Sequence, residues 1–124
     1  NGAATTQYGR FFLPLPDNYV LGADLQIRFR AGMITTVSDT TATIDLECYV
    51  NDGDGGVGSE LCATAAQSIN SLTKANFDFA LTTTALVRGD VLDCRVAVTI
   101  NDGATATAVI GEISKIALLS DIKG

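Results

Sequence analysis

The sequence predicts an all-β fold, an antiparallel β-sandwich of jelly-roll type with six to eight strands in 124 residues. Apolar and polar residues alternate with a period of two along most of the chain, as in strands with one buried and one solvated face. Two such runs also end alike, fifty residues apart, at Val50-Asn51-Asp52-Gly53 and Ile100-Asn101-Asp102-Gly103. Because Asn, Asp and Gly tolerate the left-handed backbone of tight turns, the chain is expected to reverse there and to form two similar halves.

The first strand is predicted at Tyr8–Leu13, because Pro14 and Pro16 remove hydrogen-bond donors after it. Residues 1–7 are then expected to be a flexible N-terminal arm or its remnant, and residues 8–124 a single β-sandwich domain of common size. Four further strands follow from regular alternation. Their inward positions are Leu25, Ile27, Phe29 and Ala31, then Ile44, Leu46, Cys48 and Val50, then Phe77, Phe79 and Leu81, and finally Leu92, Cys94, Val96, Val98 and Ile100.

The last strand is predicted within Ala108–Ile122, where the alternation slips near Gly111 and again near Leu118-Leu119. A β-bulge would account for one slip. Ala63–Leu72 is the one segment in which one or two helical turns compete with a loop or an edge strand. Its Ser- and Thr-rich composition leaves these alternatives open.

Composition argues against several classes of function. The net charge is −6 and the five arginines cluster only at Arg28 and Arg30, whereas nucleic-acid binding requires a concentrated positive field. Histidine is absent, which excludes Ser–His and Cys–His catalytic pairs. The protein is therefore not expected to be an enzyme, and no catalytic, cofactor-binding or metal-binding residue is assigned. Only 18% of residues are charged, which indicates either a homo-oligomer or Thr-rich outer faces.

Two acidic motifs have competing interpretations. Asp45 and Glu47 share a strand face, as do Asp93 and Arg95 on another strand, but solvated cross-strand charge pairs are favoured over a pair of catalytic carboxylates. The segment 51–56, which is followed by Glu60, has the alternating oxygens and glycines of a Ca²⁺ loop. Its spacing does not fit an EF-hand, because Val57 occupies the sixth loop position. A glycine-rich hairpin loop is favoured, and Ca²⁺ binding by the Asp52–Asp54 loop stays open.

Two further features bear on adhesion and sugar binding. Arg88-Gly89-Asp90 is a tripeptide used by integrin ligands, and here chance occurrence before a strand is the favoured explanation. Tyr49 is the one tyrosine predicted to point outward from a well-defined strand. Since the chain has no Trp, a single Tyr is a small platform for a sugar ring.

The cysteines are Cys48, Cys62 and Cys94, an odd number without CxxC spacing, so a structural zinc site is not expected. Cys48 and Cys94 fall at inward strand positions, where a thiol packs as a small hydrophobe. Three reduced thiols and assembly in a reducing cytoplasm are predicted. A Cys48–Cys94 disulfide between neighbouring strands is the alternative.

Several segments resemble small structural proteins of tailed bacteriophages, especially cyanophages and their marine relatives. Together the segments span most of the chain. They are Tyr8-Gly-Arg-Phe-Phe-Leu-Pro, Tyr19-Val-Leu-Gly-Ala-Asp-Leu-Gln-Ile-Arg, Ala65-Ala-Gln-Ser-Ile-Asn-Ser-Leu, Leu86-Val-Arg-Gly-Asp-Val-Leu-Asp-Cys-Arg-Val and Ile116-Ala-Leu-Leu-Ser-Asp-Ile-Lys.

This resemblance implies a jelly-roll capsid cement (decoration) protein, a homotrimer on the capsid surface that clamps neighbouring major capsid proteins. Binding to a membrane is not expected either, because the longest apolar stretch falls well short of the roughly 18 residues that a membrane span requires. The expected oligomer contacts are outward apolar residues, namely Phe12, Val37, Val57 and one of Leu118 or Leu119. A trimeric phage fibre or receptor-binding tip is the alternative within virions. A carbohydrate-binding β-sandwich module is the alternative outside them.

Overall fold

The computed structural model describes residues 4–34, 36–51, 60–84, 86–103 and 109–120, which contain seven strands and no helix. All the strands predicted from the alternation are present. Their bounds are β1 (Ala4–Pro14), β2 (Leu25–Ile34), β3 (Thr41–Asn51), β4 (Gln67–Ser68), β5 (Ala75–Leu81), β6 (Val91–Asn101) and β7 (Ile110–Ser120).

The strands form two antiparallel sheets that pack against each other, so the predicted β-sandwich is confirmed. The four-stranded sheet has the order β1-β6-β3-β4 and the three-stranded sheet the order β5-β2-β7. The pairs β1–β6, β2–β5 and β3–β4 are nested in sequence, as in the winding of a jelly roll. β7 lies outside this nest and pairs with the second side of β2.

The core lies between the sheets and is built from the alternating positions that the sequence predicts. Phe29 is fully buried at its centre and contacts Phe11 and Phe79 edge to face, with ring centroids 6.1 and 5.7 Å apart. Each such aromatic pair is worth about 0.5–1.5 kcal/mol beyond the area it buries. Tyr19, which lies outside the long strands, is also fully buried.

One side of the sandwich is closed by the segment from Leu61 to Ala63. The Leu61 N–H donates to the Cys48 carbonyl of β3 (2.7 Å), and the Ala63 N–H donates to the Ala80 carbonyl of β5 (2.8 Å). Residues 63–72, for which helix, loop and edge strand were alternatives, form the two-residue strand β4 and irregular backbone. Within this segment Gln67 and Ser68 pair with β3 and the Ala63 N–H bonds to β5, so its backbone pairs with strands of both sheets.

The first strand begins earlier than predicted, so residues 4–7 do not belong to a flexible arm. They pair with β6, from Ala4 opposite Asn101 to Gln7 opposite Val98. Thr6 Oγ1 and Thr99 Oγ1 share a hydrogen bond of 2.8 Å. The prediction of β1 relied on apolar residues, which begin at Tyr8. The partner strand β6 is eleven residues long, so it pairs with the polar residues before Tyr8 as well. Residues 1–3 lie outside the described part.

The irregular last strand contains one β-bulge, at neither of the predicted slips. Arg30 pairs with Lys115 while the adjacent Ala31 pairs with Ile113, so Ser114 is the extra residue. The Ser114 hydroxyl donates to the Arg30 carbonyl (3.2 Å). After the bulge, inward and outward side chains alternate regularly, with Leu118 opposite the inward Ile27 and Leu119 opposite Gln26.

The twin Asn-Asp-Gly segments end two strands that are direct neighbours. β3 and β6 pair antiparallel from Thr41 opposite Asn101 to Asn51 opposite Val91, so the two segments lie at opposite ends of one strand pair. The first segment continues into residues 52–59, which are outside the described part. After the second segment, where the chain was expected to reverse, the chain crosses to the other sheet, because β6 is followed by β7.

The second segment is held by the loop that precedes β3. The Gly103 N–H donates to Asp39 Oδ1 (2.8 Å), and the Asp39 N–H donates to Asp102 Oδ1 (2.9 Å). The hydroxyl of Ser38, a buried polar residue, donates to the Asn101 carbonyl (2.7 Å). These reciprocal bonds join two connections that are more than sixty residues apart in sequence.

Candidate functional site

The outward surface of the four-stranded sheet carries polar and aromatic side chains from three strands. We call it the outer face. Its residues form rows across β1, β6 and β3. The rows are Thr6, Thr99 and Thr43, then Tyr8, Ala97 and Asp45, then Arg10, Arg95 and Glu47, and finally Phe12, Asp93 and Tyr49. The antiparallel register therefore brings three separate parts of the sequence onto one surface.

Two cross-strand ion pairs hold the charged groups of the outer face. Arg10 donates from Nε to Asp93 Oδ1 (2.9 Å) and from Nη2 to Oδ2 (2.5 Å), and Arg95 donates to Glu47. The hydrogen bond from Arg10 lowers the pKa of Asp93 below its ordinary value. Asp45 Oδ1 accepts a hydrogen bond from the adjacent Leu46 N–H (2.9 Å). The cross-strand charge pairs favoured from the sequence are thus confirmed for Glu47 and Asp93.

The aromatic content of the outer face is larger than predicted. Tyr8 is 60% exposed and its ring lies under the Arg95 guanidinium, whose carbon is 4.4 Å from the ring centroid. Tyr49 is half-buried on the same face. Sequence reasoning identified Tyr49 alone. The sequence contained a signal for Tyr8 as well. Because Phe11 and Leu13 point inward, the period of two places Tyr8 on the outward face of β1.

A depression of about 430 Å³ lies on the outer face above Ala97. It exists because a small side chain stands between Tyr8 and Asp45 in the same row. Hydroxyls, carboxylates, a guanidinium and an aromatic ring surround it. The lining residues are Thr6, Tyr8, Thr43, Asp45, Glu47, Ala66, Arg95, Ala97 and Thr99. This mixture suits a neutral polar ligand with several hydroxyl groups.

The opposite side of the sandwich from the Leu61–Ala63 closure is formed by β1 and β7, each of which ends its sheet. We call it the open edge. Ile116 of β7 pairs with the fully buried Phe29 and shares its inward direction, yet 43% of its surface is exposed. Gln7 and Gly9, at inward positions of β1, are exposed as well. The interior of the sandwich is therefore incompletely covered along this edge.

Four large exposed apolar side chains lie on the two strands of the open edge. Tyr8 and Phe12 of β1 are 60% and 51% exposed, and Ile110 and Ile116 of β7 are 44% and 43% exposed. Unpaired strand edges with apolar side chains favour pairing with another chain. This edge has the features of an interaction surface.

The predicted contact residues have different positions. Phe12 lies at the open edge, as just described, and Val37 is exposed on the loop before β3. Leu118 packs against the core, which leaves Leu119 as the outward member of that pair. Val57 lies outside the described residues.

The Arg88-Gly89-Asp90 motif has a structural role in the turn before β6. Gly89 has a φ of 89°, which favours glycine. Arg88 Nε donates to the Tyr19 carbonyl (2.8 Å), and Asp90 Oδ2 accepts from the Val87 N–H (2.9 Å). Both charged side chains are therefore engaged within the fold.

Glu60, the acid that follows the glycine-rich loop, also binds the backbone. Its Oε2 accepts hydrogen bonds from the N–H groups of Cys48, at 3.0 Å, and of Cys62. Residues 52–59, with the candidate Ca²⁺ ligands Asp52 and Asp54, are outside the described part. Among the described residues, no three His, Cys, Asp or Glu side chains are grouped as a metal site would require.

Comparisons with protein-family models, curated protein sequences and solved structures found no match. In the described part of the chain, no helix is long and apolar enough to cross a membrane.

Proposed function

We propose that this chain is a non-enzymatic structural protein of a bacteriophage virion, a cement protein that assembles as a trimer on the capsid surface and binds the major capsid protein. The observation that carries the proposal is the open edge, where the inward-facing Ile116 is 43% exposed. The resemblance of the sequence to tailed-phage structural proteins supports the same conclusion. A cement protein stabilises a shell by burying its own surface between subunits, and an incomplete edge provides that surface.

The open edge supplies two kinds of contact to a second subunit. The backbones of β1 and β7 are each paired on one side among the described residues, so each has a side for an added strand. Ile110 and Ile116 add apolar surface beside them. Burial of exposed apolar surface contributes about 25 cal/mol per Å² before the cost of association is subtracted.

Light scattering on the purified chain tests self-association at this edge. The parent is expected to have the mass of a trimer, and Ile116→Asp the mass of a monomer, because a carboxylate would be desolvated in the interface. Leu72→Asp is the matched control, since Leu72 is 56% exposed in the loop before β5. It should keep the trimer. A monomeric parent at micromolar concentration would overturn the proposed assembly.

A capsid-binding experiment tests the cement role itself. Expanded capsids of the phage that encodes this chain, stripped of decoration, should bind the parent and melt at a higher temperature with it than without it. Binding to host cells in place of capsids would instead identify a fibre or receptor-binding tip. Binding to neither would overturn a virion attachment role.

A second function, glycan binding, is favoured by Tyr8 and Tyr49 on the outer face. The two rings belong to strands on either side of β6. Tyr8 lines the depression above Ala97 together with threonine hydroxyls and carboxylates, and Tyr49 lies two rows away on β3. Sugar rings stack on exposed aromatic rings while their hydroxyls bond to such groups.

Tyrosine fluorescence tests this second function, because the chain has no Trp to dominate the emission. Titration with neutral oligosaccharides should change the emission of the parent, and Tyr8→Ala should remove most of the change. Tyr19→Phe is the control, because Tyr19 is fully buried. Equal responses in the parent and Tyr8→Ala would exclude the outer face as the site.

A further inference from the structure

Two cysteines face each other across the β3–β6 strand pair. Cys48 and Cys94 are direct register partners on the inner face of the four-stranded sheet, and both are fully buried. Cys48 Sγ donates to Cys94 Sγ over 2.9 Å. All three cysteines are free thiols in the structure.

The strand register already provides the backbone geometry of a disulfide. Directly opposed residues of antiparallel strands have Cα atoms about 4.5 or 5.5 Å apart, depending on the type of pair. Disulfides span Cα separations of about 4.4–6.8 Å, so either type of pair accommodates the bond. The two sulfurs need to approach by less than about 1 Å to reach the bonded distance near 2.05 Å. We propose that Cys48 and Cys94 form an intramolecular disulfide when the folded protein meets a peroxide.

The oxidation balances with one peroxide molecule. The thiolate of one cysteine attacks hydrogen peroxide, which gives a sulfenic acid and hydroxide. The second thiolate then attacks the sulfenic sulfur and forms the S–S bond, while the sulfenic oxygen leaves as hydroxide. The two thiol protons neutralise both hydroxides, so two thiols and one peroxide give one disulfide and two waters. The sulfurs lose two electrons and the peroxide gains them.

The surroundings make this reaction slow and pH-dependent. The hydrogen bond with Cys94, together with burial, raises the pKa of Cys48, so little thiolate is present at neutral pH. Because both sulfurs are fully buried, only a small neutral oxidant such as hydrogen peroxide is expected to reach them. The pair should therefore stay reduced in a reducing compartment and oxidise faster as the pH rises.

The third thiol is a competitor that the experiment must remove. Cys62 is half-buried, donates weakly to the Thr64 carbonyl (3.4 Å) and lies 14 residues from Cys48 and 32 from Cys94 in sequence. Trypsin places Cys48 and Cys62 in the same peptide, residues 31–74, and Cys94 in residues 89–95. Cys62→Ser makes the assignment of a cross-link unambiguous.

The test treats folded Cys62→Ser with hydrogen peroxide, then unfolds and alkylates it for mass spectrometry. In the expected product neither cysteine is alkylated, and the protein is about 2 Da lighter than the reduced, unalkylated protein because two hydrogens are lost. After trypsin digestion, a disulfide links residues 31–74 to residues 89–95. Dithiothreitol should reverse it. Two alkylated cysteines, or sulfinic acids without a cross-link, would overturn the proposal. So would a cross-link found in the parent but lost in Cys62→Ser.

A thermal measurement tests whether the bond fits the native fold. A disulfide between residues 46 positions apart restricts the unfolded chain, so the melting temperature of oxidised Cys62→Ser should rise by at least about 5 °C. Cys62→Ser/Cys94→Ala, treated in the same way, should show no rise. An unchanged or lower melting temperature in cross-linked Cys62→Ser would show that the native geometry does not accept the bond. Neither measurement depends on the protein being a virion component.

Discussion

At the scale of single residues, Tyr19 shows how much of the core lies outside the long strands. It belongs to the connection between β1 and β2, and its whole side chain is buried. The hydroxyl donates to the Ala23 carbonyl (2.8 Å), and the Tyr19 carbonyl accepts from Arg88. A tyrosine in the core needs such a partner for its hydroxyl. This one residue therefore fixes two connections at the same end of the sandwich.

Tyr19→Phe should lower the free energy of unfolding by about 0.5–1.5 kcal/mol, because the Ala23 carbonyl loses its donor while the packing of the ring is retained. Urea denaturation of parent and variant measures the difference. Tyr8→Phe is the control and should change stability by less than about 0.5 kcal/mol, since Tyr8 is largely exposed. Equal changes in the two variants would contradict the role assigned to Tyr19.

Asp78 provides a residue-scale prediction about pH. Arg28 donates from Nε to Asp78 Oδ1 (2.7 Å) and from Nη2 to Oδ2 (2.9 Å), which lowers the pKa of Asp78 below 3.8. A group with a lowered folded-state pKa stabilises the fold above its unfolded pKa, and that stability is lost as the pH falls through the folded value. The contribution is therefore complete at neutral pH and disappears in acid.

Carboxyl NMR titration checks this shift directly. In Arg28→Gln the pKa of Asp78 should rise toward 3.8, and acid unfolding should depend less steeply on pH below about pH 4. Arg30→Gln is the control on the same strand, because Arg30 donates to Asn76 and not to a carboxylate. An unchanged Asp78 titration in Arg28→Gln would contradict the assigned cause.

At the scale of elements, β2 approaches the loop before β5 closely at Gly32. A Cβ added there would lie 3.0 Å from the Ser71 carbonyl oxygen, and that oxygen also accepts from the Met33 N–H (2.7 Å). The loop cannot move away without losing this bond. Gly32 thus sets the distance between the strand and the loop.

Gly32→Ala should destabilise the protein by about 1–3 kcal/mol through overpacking. Gly9→Ala on β1 is the matched control, because its Cβ would meet only Val96, at an ordinary 3.4 Å. It should change stability by no more than about 0.5 kcal/mol. Chemical denaturation of both variants checks the difference, and a well-tolerated Gly32→Ala would contradict the close approach.

The elements also show what the sequence can and cannot predict. The inward positions of β3 and β6 followed from the period-two pattern alone, because each strand has one apolar and one polar face. The start of β1 did not, because Thr5 and Thr6 pair through the backbone without an apolar pattern. The sequence predicted a bulge in β7 but not its position at Ser114. An interrupted alternation shows that inward and outward positions exchange, but it does not identify the extra residue. The outer face depends on register between strands far apart in sequence, which a local pattern does not contain.

At the scale of the whole molecule, the connectivity requires the chain to fold as one unit. Most connections between described strands pass from one sheet to the other, and the β3–β4 connection stays within a sheet. The strands of each sheet are therefore separated in sequence by strands of the other. Such non-local topology costs much loop-closure entropy before it gains contacts.

Refolding from urea is accordingly expected to be slow for a chain of this size, in the range of milliseconds to seconds. Stopped-flow measurements under reducing conditions should show it, with the Cys62→Ser variant as a control against thiol exchange. Relaxation in microseconds would contradict the dominance of distant pairings.

The pairing of β1 with β6 has a consequence during synthesis. Thr6 and its partner Thr99 are 93 residues apart, so the first strand leaves the ribosome long before the strand that pairs with it. At about 5–20 residues per second, that interval is roughly 5–20 s. Throughout it β1 lacks its native neighbour, and Tyr8 and Phe12 are available to any other chain. Nascent copies on one messenger are therefore most exposed to mispairing in this interval.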